Sequence, residues 1–245
     1  MNDAVLARFK ERYGPDVYVT HDYAELLRRD DIHAVFITSP DYCHEEQAIA
    51  ALEAGKAVYL EKPMAITLAG CDRILATAAR TGARLYLGHN MRHMSFVTKM
   101  RELIESGAIG EVKAGWCRHF IAYGGDAYFK DWHSERRYAT GLLLQKGAHD
   151  IDVLHYLCGG YTRRVTAMGA LSVYDHVQAR RGADEPGDPT FRDENWPPLS
   201  QTGLSPEIDV EDLSMMLMEL DNGVWCSYQQ CHFSPDAWRN YTIIG

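Results

Sequence analysis

The chain has 245 residues, 46% hydrophobic and 24% charged, with a formal net charge of -9 and a pI near 5.6. That balance suits a folded protein with ample core and excludes a general nucleic-acid binder, which needs a basic face. No apolar run approaches the roughly 20 residues of a membrane-spanning helix, the opening MNDAVLARFK lacks a signal-peptide core, and six scattered cysteines without a C-x-x-C pair read as reduced thiols of a cytoplasmic protein.

Helices and strands alternate through the first third. VLARFKERYG has helical spacing and ends at Gly14, and VYVT (17–20) reads as a short strand. DYAELLRRD opens with Asp22 as N-cap and Glu25 three residues on, a capping-box pattern. AVFIT (34–38) is a continuous apolar run, the kind buried on both faces of a sheet. HEEQAIAALEAG is an amphipathic helix closed by Gly55, and AVYLE is the next strand. TLAGCDRILATAARTG is a helix between Thr67 and Gly82, followed by the strand RLYLG. Strands spaced by helices imply parallel βαβ units in an open, doubly wound sheet.

After residue 88 the rhythm changes. A helix near Ser95 to Ser106 leads to a long strand near 111–123, then the loop GGDAYFKDWHSERRYATG. The helix LLLQKGAHDIDVLHYLCGG follows, then a strand near 163–173. RRGADEPGDPTFRDENWPPLS reads as a surface excursion. The remainder, EDLSMMLMEL, DNG, VWCSYQQCHF and NYTIIG, reads as antiparallel strands. The expected division is 1–88 as α/β and 89–245 as α+β.

Ligands of doubly wound sheets bind beyond the carboxyl ends of the strands. Three such ends carry polar residues: Thr38, Ser39, Pro40, Asp41 and His44 in TSPDYCH; Glu61, Lys62 and Pro63; and Asn90 in GHNMRH. Parallel neighbours would bring all three to one crevice. On the helix after Gly141, Gln145 and His149 are four apart and Asp152 is three further on, so they share a face. A histidine flanked by Gln and Asp is a candidate oriented acid–base group. His89 and His93, with His44 nearby, raise a metal alternative, but no Cys or acid completes a tetrahedral set.

VYLEKPMA, GAHDIDVLHYL and the block TSPDYCHEEQAIAALEAGKAVYLEKP resemble the Gfo/Idh/MocA oxidoreductases over nearly the whole chain. The resemblance implies a partial Rossmann-type doubly wound parallel sheet followed by an α+β domain with a largely antiparallel open sheet. It implies NAD or NADP as cofactor, a sugar or polyol as substrate, and a homo-oligomer (dimer or tetramer) formed through that open sheet. It places Lys62 beside the nicotinamide and the substrate, positioned by Glu61 and Pro63, with His149 as the second proton-transfer group. Trp132, in the loop before the helix, would border the substrate.

Two departures qualify these expectations. Gln145 stands where the inositol-dehydrogenase branch has an aspartate; a glutamine can hydrogen-bond a hydroxyl but cannot take its proton, leaving Lys62 and His149 to do so. No G-x-G-x-x-G occurs anywhere, and the first strand–helix–strand of the family is absent. NYTIIG stops mid-strand, so the expectation is a portion of a longer protein. Two alternatives stay open: an NAD-dependent glycosidase of the same family, and a non-catalytic ligand-binding or oligomerisation module.

Overall fold

The computed structural model describes residues 3–122, 124–187 and 196–245, without the side chains of residues 126 and 127. After helices α1 (Asp3–Tyr13) and α2 (Tyr23–Leu27) come strand β1 (Ala34–Ile37), α3 (His44–Glu53), β2 (Ala57–Leu60), α4 (Leu68–Thr81) and β3 (Leu85–Leu87). β1, β2 and β3 form a parallel three-stranded sheet in that order. Its core joins Ile37, Val58 and Leu60 to Ala48, Leu52 and Ile74 of α3 and α4. The α4 caps follow the sequence: Thr67 accepts from the Gly70 N–H, and Gly82 adopts the left-handed conformation.

Three local expectations fail for physical reasons. VYVT is not a strand, because no backbone ladder lies beside it. Instead Tyr18 stacks under Arg29, with the guanidinium carbon 4.8 Å from the ring centroid, and Thr20 Oγ1 accepts from the Asp22 N–H at 3.0 Å. Asp22 caps α2 by accepting from the Ala24 N–H. Glu25 does not complete the capping box, because its carboxylate accepts from Tyr18 and Thr20 instead. AVFIT is covered on one face only: Phe36 is 73% exposed and stacks on Tyr59, which stacks on Tyr86, across the open face of the sheet.

The second part holds α5 (Ser95–Glu105), β4 (Ala114–Phe120), α6 (Gly124–Tyr128), α7 (Arg136–Ala139), α8 (Leu142–Cys158), β5 (Thr162–Ala170), β6 (Leu213–Leu220), β7 (Trp225–Cys231) and β8 (Trp238–Ile244). The expected loop at 124–141 thus contains two short helices. The five-stranded sheet runs β5-β6-β7-β4-β8, antiparallel except for the β4–β7 pair. α8 covers one face, with Leu154 and Cys158 packed on Cys117, Met218 and Tyr228. Gly147 makes that approach possible, since a Cβ there would lie 3.2 Å from the Tyr228 ring. The opposite face is bare, exposing Met168, Met215, Leu217 and Trp225.

The proposed surface excursion lies partly outside the described residues. Its flanks are pinned: Tyr174, Val177 and Leu204 share a core with Phe129. Among the described residues, no helix is long and apolar enough to cross a membrane.

Candidate active site

β2 ends by lifting Glu61 and Lys62 out of the sheet toward α8. Lys62 is 8% exposed, and its Nζ donates to the Gln145 carbonyl at 2.9 Å. Its own N–H donates to Glu61 Oε2 at 3.2 Å. Burial lowers the Lys62 pKa, against the raising fields of Asp41 and then Glu61. Holding the ammonium on one neutral carbonyl fixes its position while leaving its other donors unassigned.

The loop after β1 is fixed by histidine. His44 is fully buried, with Nδ1 2.7 Å from the Pro63 carbonyl and Nε2 2.9 Å from the Ser39 carbonyl. It clamps the β1 and β2 end loops together and has no ring nitrogen left for a ligand. Ser39 Oγ is likewise committed, donating to Gln47 Oε1 at 2.6 Å. Pro40 turns the chain so that Asp41 enters the interior, where it is 4% exposed. Burial raises the Asp41 pKa, opposed first by Lys62 and then by His44. Thr38 and Asn90 are exposed at the ends of β1 and β3.

Gln145 and His149 lie one turn apart on α8, and both present buried polar atoms without partners: Gln145 Oε1 and His149 Nδ1, joined by Asp41 Oδ2. Burial, then Lys62, Arg239 and Lys146, push the His149 pKa down to about 3. The imidazole is therefore neutral at ordinary pH and can offer both a donor and an acceptor.

Asp152 does not orient His149. It accepts from Arg92 Nε and Arg92 Nη2 at 2.7 and 2.6 Å, because at three residues past His149 it has turned toward the 90–93 loop. The residue that fixes this part of α8 is Asp150, which is fully buried. It accepts from Tyr228 at 3.1 Å, Arg239 Nε at 2.9 Å and Tyr241, with His119 Nδ1 3.0 Å away. Burial alone would raise its pKa, but His119 and Arg239 hold it well below the usual carboxylate range.

Trp132 stacks on His133, centroids 3.7 Å apart, and meets Tyr42 edge-on at 6.1 Å, so it leans on the 38–44 loop. The metal alternative finds no support: His93 is 3.0 Å from the Tyr86 hydroxyl, His44 is the clamp, and His89 lies 3.8 Å from Asp152. Among the described residues no three metal-binding groups cluster. Two hollows of about 680 and 550 Å³ lie on the outer flank of α8 and on the bare sheet face. Neither is lined by Lys62, Lys146 or His149, so the polar convergence, rather than cavity size, marks the candidate site.

Residues 3–89 match the family model described as oxidoreductase family, NAD-binding Rossmann fold. Residues 97–245 match the GFO/IDH/MocA C-terminal domain. The chain belongs to the Gfo/Idh/MocA oxidoreductase family. Among family relatives, 1-carboxy-3-chloro-3,4-dihydroxycyclo hexa-1,5-diene dehydrogenase of Comamonas testosteroni is 32% identical over 73% of this chain and 44% of its own length. Inositol 2-dehydrogenase of Salmonella typhimurium is 29% identical over 60% of this chain and 41% of its own. A solved levoglucosan dehydrogenase, in complex with NADH and levoglucosan, superposes on all of this chain and 60% of its own at a TM-score of 0.80 and 23% identity, a likeness of fold. The chain thus spans about half the length of these Gfo/Idh/MocA proteins.

Proposed function

We propose that the chain supplies the nicotinamide-facing and substrate-facing residues of an NAD- or NADP-dependent oxidoreductase acting on a sugar, polyol or related hydroxy or keto compound. The observation that carries this is Lys62, buried at the carboxyl end of a parallel strand and tethered to the α8 carbonyl one turn before His149. The dehydrogenases above are named for polyhydroxy compounds, and we carry that substrate class over to this chain.

The residues present fit the nicotinamide end of the cofactor. The ends of β1, β2 and β3 are adjacent in one parallel sheet, and Asp41 Oδ2, His89 Nδ1, Gln145 Oε1 and His149 Nδ1 are buried polar atoms without hydrogen-bond partners. Such atoms are costly unless a ligand satisfies them. The 245 residues contain no G-x-G-x-x-G turn, so no residue is assigned to the pyrophosphate. When bound, a nicotinamide takes or gives the hydride.

The protein's own groups manage the proton. Lys62, with its pKa lowered by burial, exchanges a proton with the substrate oxygen. Neutral His149 hydrogen-bonds that oxygen and can pass the proton on. Gln145 Oε1 accepts from a substrate hydroxyl and orients it. The Asp41 carboxylate opposes the lowering of the Lys62 pKa. The bare β5–β6–β7 face is the surface through which we propose that the protein forms a homo-oligomer.

The test is nicotinamide reduction or reoxidation by the purified protein over a panel of sugars and polyols. Lys62→Met should fold and still alter nicotinamide fluorescence while losing about 10²–10⁴-fold in turnover. No redox change with any substrate would overturn the reading, and near-normal turnover in Lys62→Met would remove that lysine from proton transfer.

A further inference from the structure

Lys146 stands between Gln145 and His149 on α8, and its charge acts on His149. It lies three residues before His149 on α8, and its Nζ sits over the Tyr128 ring, 4.5 Å from the centroid. Among the described residues, no carboxylate is within ion-pair distance of it.

Among the described residues, the charged and titratable groups that act on it are few. Tyr128 of α6 presents its ring. From the strand-end loops come Lys62 and Asp41; from α8, His149 and Asp150; from β8, Arg239; and, following β7, His232. Asp150 is committed to Arg239, Tyr228 and Tyr241, with His119 beside it. Asp41 is the leading counter-charge for Lys62, and burial weakens it as an anion. His149 and His232 are both pushed toward the neutral form by burial. Among the described residues, this ammonium is left without an anion at ion-pair distance. An unpaired charge in such a place destabilises a fold, so its natural partner is a ligand.

Resting on the oxidoreductase reading above, we propose that Lys146 is a substrate-contacting residue that receives a carboxylate, and that the substrate is an acidic sugar or polyol, such as a uronate or aldonate. Lys62 and His149 then face the reacting hydroxyl, while Lys146, about a sixth of a helical turn round α8 from His149, holds the acid group. In the empty protein burial, then Lys62 and Arg239, lower the Lys146 pKa to about 7. A bound carboxylate favours the charged form, so binding takes up a proton and weakens as pH rises above about 7.

The test is calorimetric binding of a panel of aldohexoses and alditols against the matching uronates and aldonates, with wild type, Lys146→Met and Lys146→Arg. Wild type should bind an acid about tenfold or more tightly than its neutral counterpart. Lys146→Met should abolish that preference and Lys146→Arg should keep most of it. Lys146→Met should also raise the melting temperature of the ligand-free protein, because it removes a half-buried charge with no ion-pair partner among the described residues; a merely structural lysine would lower it. A neutral compound as the tightest binder, no binding of any acid, or a preference surviving in Lys146→Met would each overturn the proposal. Acid binding through Lys146 without nicotinamide reduction by any compound would instead sink the oxidoreductase reading, and with it the word substrate, while leaving Lys146 as the carboxylate-binding residue.

Discussion

Replacing Asp150 by asparagine removes the charge at the centre of a buried network while changing little volume. The carboxylate is fully buried and ties α8 to three strands, with His119 on β4, Tyr228 on β7, and Arg239 and Tyr241 on β8. An asparagine still accepts at one oxygen, but its amide turns a donor toward Arg239, which has no acceptor to offer. Breaking one side of a buried ion pair costs about 3–5 kcal/mol. Because the Arg239 side chain keeps 32% exposure, solvent softens the loss, and the lower end, about 3 kcal/mol, applies. For a chain of this size that is a fall of roughly 6–12 °C in Tm. Calorimetric melting and urea titration of both proteins at neutral pH measure it. The network also predicts a pH signature. The folded Asp150 pKa is depressed, so its stabilisation is fully present above its unfolded value near 4 and is lost as pH falls below it. The gap between wild type and Asp150→Asn should therefore narrow on acidification. A loss under about 1 kcal/mol, or a gap that widens in acid, would refute this account of how α8 is held.

Other outcomes follow from the same geometry. His44→Leu should cost about 1–3 kcal/mol by removing the ring N–H that donates to the Ser39 or Pro63 carbonyl, and weaken nicotinamide binding, as urea midpoints and fluorescence titration would show. With His149 held neutral, no limb of the pH–rate profile near the ordinary histidine value of about 6.5 should belong to it, and any limb near 7 should survive in His149→Gln and vanish in Lys146→Met; a limb lost in His149→Gln would contradict the assignment. Met168→Glu on the bare sheet, 78% exposed, should shift sedimentation toward a smaller species with an unchanged circular dichroism spectrum. Unaltered mass would move any self-association elsewhere.

Much of the fold was legible because its signals are local. Thr67 and Gly82 mark α4 because a hydroxyl cap and a left-handed turn are short-range needs. The parallel order of β1–β3 follows from strands separated by helices. VYVT misled because strand propensity without a neighbouring backbone makes no ladder. Lys62 could be singled out by its place after a strand, and His149 by the helix around it. Lys146 carried a weaker signal, a lysine between Gln145 and His149 on a largely apolar helix, and nothing local distinguishes it from a solvated one.

The sequence by itself determined the helix and strand alternation around β1, β2 and β3 and their parallel direction, and it singled out Lys62 and His149 as candidates for moving a proton. Those properties depend on neighbours within a few positions, where backbone geometry and side-chain period act. Only the tertiary structure decided that Asp152 serves Arg92, that Asp150 is the anchor, and that Lys146 has no ion-pair partner among the described residues. Ion pairing is a property of distance in space. Asp150 finds Arg239 89 residues away and Lys62 finds the Gln145 carbonyl 83 residues away, separations over which no spacing rule along the chain applies.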